Sequence, residues 1–443
     1  MMTIGKFSTM ALAALAPMTA AAAQQAMPAQ APTSLPSMAP AVAPAIDWTS
    51  DEDGQRAADR LIALLEHADL EGFAAGPTMA VQARALLDKA KLGVEADRKA
   101  ADRFLTDAFA GYMDVLNAPV YGVEYGDNWA RPSRLSSGVL LKNALAVPSL
   151  EAFVTRQASI NPVYDRLRHA ASALPANDPA RTKVASSLER VRAFPTRTKF
   201  VLVDSATQRL WMFENGEVVD SMKVVVGKQE YATPMIASTI YYGTFNPYWH
   251  VPYHLIRNTI APNVRRQGVG YLKARGYEVV DRWAADATIV DPKSVDWAAA
   301  AKTGDLKVRQ LPGGANSMGN MKFDFANSEG IYLHDTPMKE YFKRDVRALS
   351  NGCIRLEDAA RFGRWLFQGQ ALPATGGREQ HVLIPEPVPV YVTYLTANAI
   401  EGQLAYADDI YGLDKAMLAR NVPTAEPQSA GAVATATSAA PAS

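Results

Sequence analysis

Cysteine is almost absent from this 443-residue chain, with Cys353 the only one. A single thiol excludes an internal disulfide framework and any Cys-rich zinc or iron–sulfur site. Excess charge is absent as well: Lys plus Arg number 45 and Asp plus Glu number 45. That balance argues against a dedicated nucleic-acid binder, which carries a basic surplus. After residue 23 no stretch approaches the ~20 apolar residues of a spanning helix, and no internal repeat is found. What is present is 48% hydrophobic and 20% charged residues. This is a globular balance with room for two or three domains, and it rules out a fibrous or chain-long disordered protein.

The ends read differently from the middle. Lys6, an apolar heart from Met10 to Ala16, and Ala21-Ala22-Ala23 before Gln24 fit a secretory signal peptide over residues 1–23, with an uncleaved anchor as the alternative. No cysteine follows the apolar run, which excludes a bacterial lipoprotein. The expectation is an exported protein, periplasmic where the cell has an outer membrane. Residues 24–46 are an Ala/Pro-rich linker and residues 424–443 a similar tail, so the folded part is expected over 47–423.

Helical spacing opens that part. Leu61, Leu64, Leu65 and Ala68 form one apolar stripe, Ala80, Ala83, Leu87 and Ala90 a second, and Phe104, Leu105, Ala108, Phe109 and Met113 a third. The spacing returns at Val163, Leu167 and Ala170 and at Val184, Leu188 and Val191, after a less regular stretch from Asn117 to Val147. Near Lys199 the period falls to about 2. Strands are predicted at Phe200–Val203, Leu210–Phe213, Val218–Val226, Thr239–Phe245, Gly330–Leu333 and Val388–Leu395. Asn215-Gly216 predicts a tight hairpin turn. Arg355 to Leu366 reads as a helix. Arg257 to Lys302 interrupts the strands with a Trp-containing insertion of the kind that forms lids. The fold class is α+β: helices first, then a β-rich domain.

The chemistry gathers around the one thiol, in Ser350-Asn351-Gly352-Cys353-Ile354-Arg355-Leu356, with Ile331-Tyr332-Leu333-His334-Asp335-Thr336-Pro337 upstream. His334 ends an apolar strand-like run. Cys353 follows a glycine and precedes a helix-like segment, whose N-terminus would depress the thiol pKa and offer N–H groups from Gly352 and Cys353 to an oxyanion. A Cys–His pair suits acyl transfer through a thioester, with His334 moving the proton. The bland alternative, an inert buried Cys beside a satisfied core His, is not excluded by spacing alone. Tyr332 alternates with His334 along one strand face and so would line the same cleft.

These two segments resemble the signature of the YkuD-type L,D-transpeptidases: a His, a spacer, then Ser/Thr-His-Gly-Cys with an Arg two residues on. Further likeness lies in Asn246-Pro247-Tyr248-Trp249-His250-Val251-Pro252, in Val224 to Lys228 with Thr233-Pro234, in Asn316 to Asp324 leading into Asn327, and in Asp408 to Gly412, which matches a C-terminal strand region. The resemblance covers about Val184 to Leu418. Asp59 to Tyr112 is similar to the helical scaffold domain of the large Gram-negative members. It implies a scaffold domain over 47–183 and a catalytic domain over 184–423, with a lid about 257–302. It implies Cys353 as nucleophile and His334 as base, with Gly352 and Cys353 as oxyanion donors. Arg355, Ser350 and Asn351 would be substrate-side groups. No metal or organic cofactor is implied.

The implied substrate is the peptidoglycan stem peptide, cross-linked 3→3. L,D-carboxypeptidase, D-amino-acid exchange and lipoprotein attachment share the same nucleophile, and a non-catalytic wall-binding scaffold is the rival from another class. A papain-like protease is disfavoured because it places Cys before His. Two departures stand out: Asn351 where the family often has His, and no recognisable peptidoglycan-binding module between Tyr112 and Val184. In the family a backbone carbonyl orients the His, so Asp335 is expected in a turn or salt bridge rather than a triad. Trp249 faces either the cleft or the core. Trp283 and Trp297 contact either substrate or the insertion itself. His250 and His254 read as a loop or substrate wall rather than a metal pair.

Overall fold

The computed structural model describes residues 45–284 and 286–421, so the expected signal peptide, most of the linker and the tail lie outside the described residues. The chain enters through helices α1 (Glu52–Leu65), α2 (Gly76–Ala90), α3 (Glu95–Leu116), α4 (Ser137–Ala144), α5 (Leu150–Ala158), α6 (Pro162–Ala171) and α7 (Arg181–Val191). Asp51, Ser136, Ser149 and Asn161 each accept a backbone N–H three residues on, satisfying donors that a helix start leaves unpaired. The apolar stripes around Leu61, Leu105 and Phe109 are buried. α4, α5 and a short strand, β1 (Val123–Tyr125), are additions that the spacing did not announce. Among the described residues no helix is long and apolar enough to cross a membrane.

Strands follow: β2 (Lys199–Asp204), β3 (Arg209–Glu214), β4 (Glu217–Gly227), β5 (Met235–Phe245), β6 (Trp249–His250), β7 (Tyr277–Val280), β8 (Ile289–Val290), β9 (Lys307–Gln310), β10 (Met321–Phe325), β11 (Tyr332–His334), β12 (Ala348–Ser350), β13 (Ile354–Leu356) and β14 (Gln380–Thr393). Asn215 and Gly216, both at positive φ, turn β3 into β4 as expected. The large sheet runs β1-β5-β10-β11-β13-β4-β3-β2-β14, and β14 also pairs with β5, so the path closes on itself like a barrel.

Period-2 alternation divides the strand side chains between two cores. Phe200, Leu202, Trp211, Phe213 and Tyr391 face outward and join the core of the helices. Val201, Val203, Leu210, Met212, Val224, Phe323, Leu333, Ile354 and Leu356 face inward with Phe362. The helical region and the sheet therefore share one apolar layer.

The expected helix Arg355–Leu366 is corrected. Ile354–Leu356 is strand β13, and the helix begins only at Ala359, after the Asp358 cap. Alternation of Ile354 and Leu356 into the inner core holds the first residues extended. Asp408 to Gly412 is likewise not a strand. It is a turn before the helix Leu413–Asn421, where Asp409 accepts the N–H groups of Leu413, Asp414 and Lys415. The proposed boundary at residues 183 and 184 falls inside α7.

The insertion is larger than the lid read from sequence. Strands β6, β9, β7 and β8 pair in that order into a second sheet. Val251, Ile256, Ile260, Val264, Leu272, Val279, Trp297 and Val308 give it a core of its own. Trp297 thus packs internally. Trp283 is exposed and lies 4.5 Å from the His250 ring, centroid to centroid. His254 stacks on Tyr231, beside the barrel rim, at 5.5 Å.

Candidate active site

The inner core decides which side chains reach the outer face of the barrel. On β10, Met321, Phe323 and Phe325 point in, so Lys322 and Asp324 point out. On β11, Leu333 points in, leaving Tyr332 and His334 on the outer face. On β13, Ile354 and Leu356 point in, leaving Arg355 on the outer face, with Cys353 one residue before the strand. The registers bring these rows together: Lys322 opposes His334 and Asp324 opposes Tyr332 across an antiparallel pair, while Leu333 and His334 oppose Ile354 and Arg355 across a parallel one. The two sequence segments therefore meet as neighbouring strands, with the Cys and His side chains on one face.

His334 is 2% exposed, and its Nδ1 donates to the Asp335 backbone carbonyl. That bond fixes the tautomer and leaves Nε2 as an acceptor. Burial, then the charge of Arg355, holds the imidazole down at about 3, well below its ordinary 6.5. The Asp335 carboxylate is engaged elsewhere, by Lys339 at 2.8 Å and by the Asn320 N–H at 2.9 Å.

Cys353 Sγ donates to the Gly330 carbonyl at 3.7 Å. Burial pushes the thiol up. The Tyr332 backbone N–H and hydroxyl, with the charges of Arg355 and Lys322, pull it down by less. The expected depression by a helix N-terminus is therefore corrected: Cys353 leads into a strand, and the helix that follows starts only at Ala359.

Ser350 is buried and pins the turn. Its hydroxyl donates to Cys353 O at 2.6 Å and accepts the Gly352 N–H at 3.1 Å. Of the two N–H groups expected to meet an oxyanion, that of Gly352 is thus already engaged. Gly352 sits at φ +115°, a conformation that side chains resist, and a Cβ there would lie 3.0 Å from Ile331 Cδ1. Asn351 is exposed at the tip.

Arg355 Nη1 donates to Met338 Sδ at 3.5 Å, its guanidinium lies over Tyr341, and its buried Nε has no partner among the described residues. Tyr332 makes an edge contact with the His334 ring at 5.8 Å. Trp249, on the insertion strand β6, is partly buried against that subdomain's core. Sequence reasoning missed Lys322, whose Nζ is 5.0 Å above the Tyr332 ring and 3.0 Å from Asp324. The alternation Met321-Lys322-Phe323-Asp324-Phe325 held the signal.

The outer face thus carries a thiol, an imidazole with a free acceptor nitrogen and two cations on three neighbouring strands, groups of the kind that acyl transfer uses. Residues 198–382 match the model of the L,D-transpeptidase catalytic domain, YkuD, and residues 45–170 match that of the Scaffold domain. A Haemophilus influenzae protein whose name assigns it to the L,D-transpeptidases is 30% identical over 242 residues, 53% of this chain and 48% of that protein. The chain thus spans about half the length of the curated relative it matches. Among solved structures, an L,D-transpeptidase from Mycobacterium smegmatis has 14% identity and a TM-score of 0.23, covering 45% of this chain and 60% of that one. L,D-transpeptidase 3 from Mycobacterium tuberculosis, bound to a faropenem-derived adduct, has 15% identity and a TM-score of 0.23, covering 45% and 62%. The chain carries an L,D-transpeptidase catalytic domain of the YkuD family behind a Scaffold domain.

Proposed function

We propose that this protein is an exported, cysteine-dependent L,D-transpeptidase that joins peptidoglycan stem peptides by 3→3 cross-links. The observation that carries the reading is the placement of Cys353 beside β11, with His334 on the same face and oriented by the Asp335 carbonyl. Cys353 Sγ attacks the carbonyl of the third stem residue while His334 Nε2 takes the thiol proton. The peptide bond to the terminal D-Ala breaks, and the same proton passes to the leaving amine. A side-chain amine of a second stem then attacks the thioester. It forms the new amide and returns a proton through His334 to the released sulfur. Arg355 and Lys322 give the cleft a positive wall facing an anionic peptide.

The test is product analysis by mass spectrometry of protein from residue 47 onward, mixed with disaccharide-tetrapeptide. Dimers lacking one D-Ala and fragmenting at a diaminopimelate-to-diaminopimelate link are expected. Tripeptide without dimers would replace the reading by L,D-carboxypeptidase activity. No product at all would favour a non-catalytic wall-binding role.

A substitution at the turn probes the same geometry. Gly352→Ala places a side chain in a strained conformation that costs about 1–3 kcal/mol, next to the nucleophile. Thioester formation is expected to slow at least ~10-fold, read as the rate of covalent labelling by a carbapenem. An unchanged rate would show that the turn geometry does not matter.

A further inference from the structure

The peptide bond leading into Cys353 is held by a side chain outside both motifs. Thr233 is 4% exposed, and its hydroxyl donates to Gly352 O at 2.7 Å while accepting the Gly227 N–H at 2.9 Å. Thr233 is itself clamped: the Tyr411 hydroxyl accepts the Thr233 N–H at 3.4 Å and donates to Gly227 O. The Tyr411 ring stacks on Tyr394 at 5.2 Å, and the Tyr394 hydroxyl accepts the Tyr411 N–H and donates to Asp409. The turn before the helix Leu413–Asn421 therefore braces the loop after β4, and that loop braces the Gly352 carbonyl next to Cys353.

A hydroxyl has one hydrogen to donate, and Thr233 directs it at Gly352 O. In a planar trans peptide the C=O and the N–H point opposite ways. Drawing the Gly352 carbonyl toward Thr233 turns the Cys353 N–H away from it. Ser350 already holds the Gly352 N–H and the Cys353 carbonyl. With those two groups held by Ser350, the orientation of the Cys353 N–H, next to the atom that forms the tetrahedral oxyanion adduct, is set by the Gly352 carbonyl.

We propose that Thr233 is a positioning residue, its hydroxyl aiming the Cys353 N–H at the oxyanion and Tyr411 holding it in place. The proposal rests on the reading of Cys353 as an acylated nucleophile. A backbone donor of this kind is worth roughly 10²–10³ in rate.

The test separates two reactions of one thiol. Acylation of Cys353 by imipenem passes through an oxyanion; alkylation by iodoacetamide, a displacement at saturated carbon, does not. Thr233→Val is expected to slow acylation about 100-fold with alkylation within about twofold of wild type, and Thr233→Ser to restore acylation. Tyr411→Phe keeps the ring stack and should give the same split in smaller degree. It carries the test by itself if Thr233→Val fails to fold. Acylation and alkylation falling together, or acylation unchanged in both variants, would overturn the proposal. A wild-type protein that is alkylated but never acylated would overturn the transpeptidase reading, and this proposal with it.

Discussion

Cys353→Ala is expected to remove turnover of tetrapeptide by at least ~10⁴-fold, the scale seen when an enzyme loses its nucleophile, and to abolish covalent labelling by carbapenems. The chain has no second thiol to take its place. The fold should survive, because the sulfur's hydrogen bond to Gly330 O is long, at 3.7 Å, and the turn is held by Ser350 and Thr233. Intact-protein mass spectrometry checks both points. Wild type should gain one carbapenem mass and never two, while the variant should gain none at an unchanged melting temperature. Adduct formation in the variant at the wild-type rate would remove Cys353 from the mechanism.

Replacing His334 should have the second-largest effect, about 10²–10⁴-fold for loss of a general base, and it should change the pH profile. With its imidazole held near 3, His334 is an unprotonated acceptor across the range where an ordinary His would titrate. Wild-type acylation is therefore expected to show no inflection between about pH 5 and 7. In His334→Ala the thiol must ionise unaided, and burial has raised it. The rate should then climb close to tenfold per pH unit below the thiol pKa. Arg355→Met tests the same electrostatics with a definite sign. Arg355 lowers both groups, so its removal raises the His334 pKa and brings an acid limb up from about 3, while the thiol limb moves further up. An inflection near 6.5 in wild type would show that His334 is not held as the geometry implies.

Much of the site could be read from the chain because strand alternation is a local rule. Tyr332 and His334 share a face by parity alone, and the hairpin at Asn215-Gly216 follows from two residues that accept positive φ. What could not be read depends on partners distant in sequence. Arg355 to Leu366 has helical spacing, but its first residues are drawn into β13 by pairing with β4 and β11. The thiol pKa was misjudged for the same reason: the expected dipole belonged to a helix that starts too late. Thr233 appeared only as half of a Thr-Pro pair. Its hydrogen bond to Gly352 spans more than a hundred residues and has no local signature. The insertion was visible as an interruption, whereas its own sheet depends on the pairing of β6 with β9.

The apolar layer shared by the first helices and the outward face of β2, β3 and β14 has a practical meaning for anyone dividing this chain. The catalytic-domain match begins at residue 198, yet Phe200, Trp211, Phe213 and Tyr391 share one core with the helices before it, and Tyr391 stacks on Phe194 across that line. A fragment cut there would begin life with a wet aromatic wall, an invitation to clump. Its melting would say little about the whole. The two halves are separable on paper, but the layer they share ties the stability of each to the presence of the other.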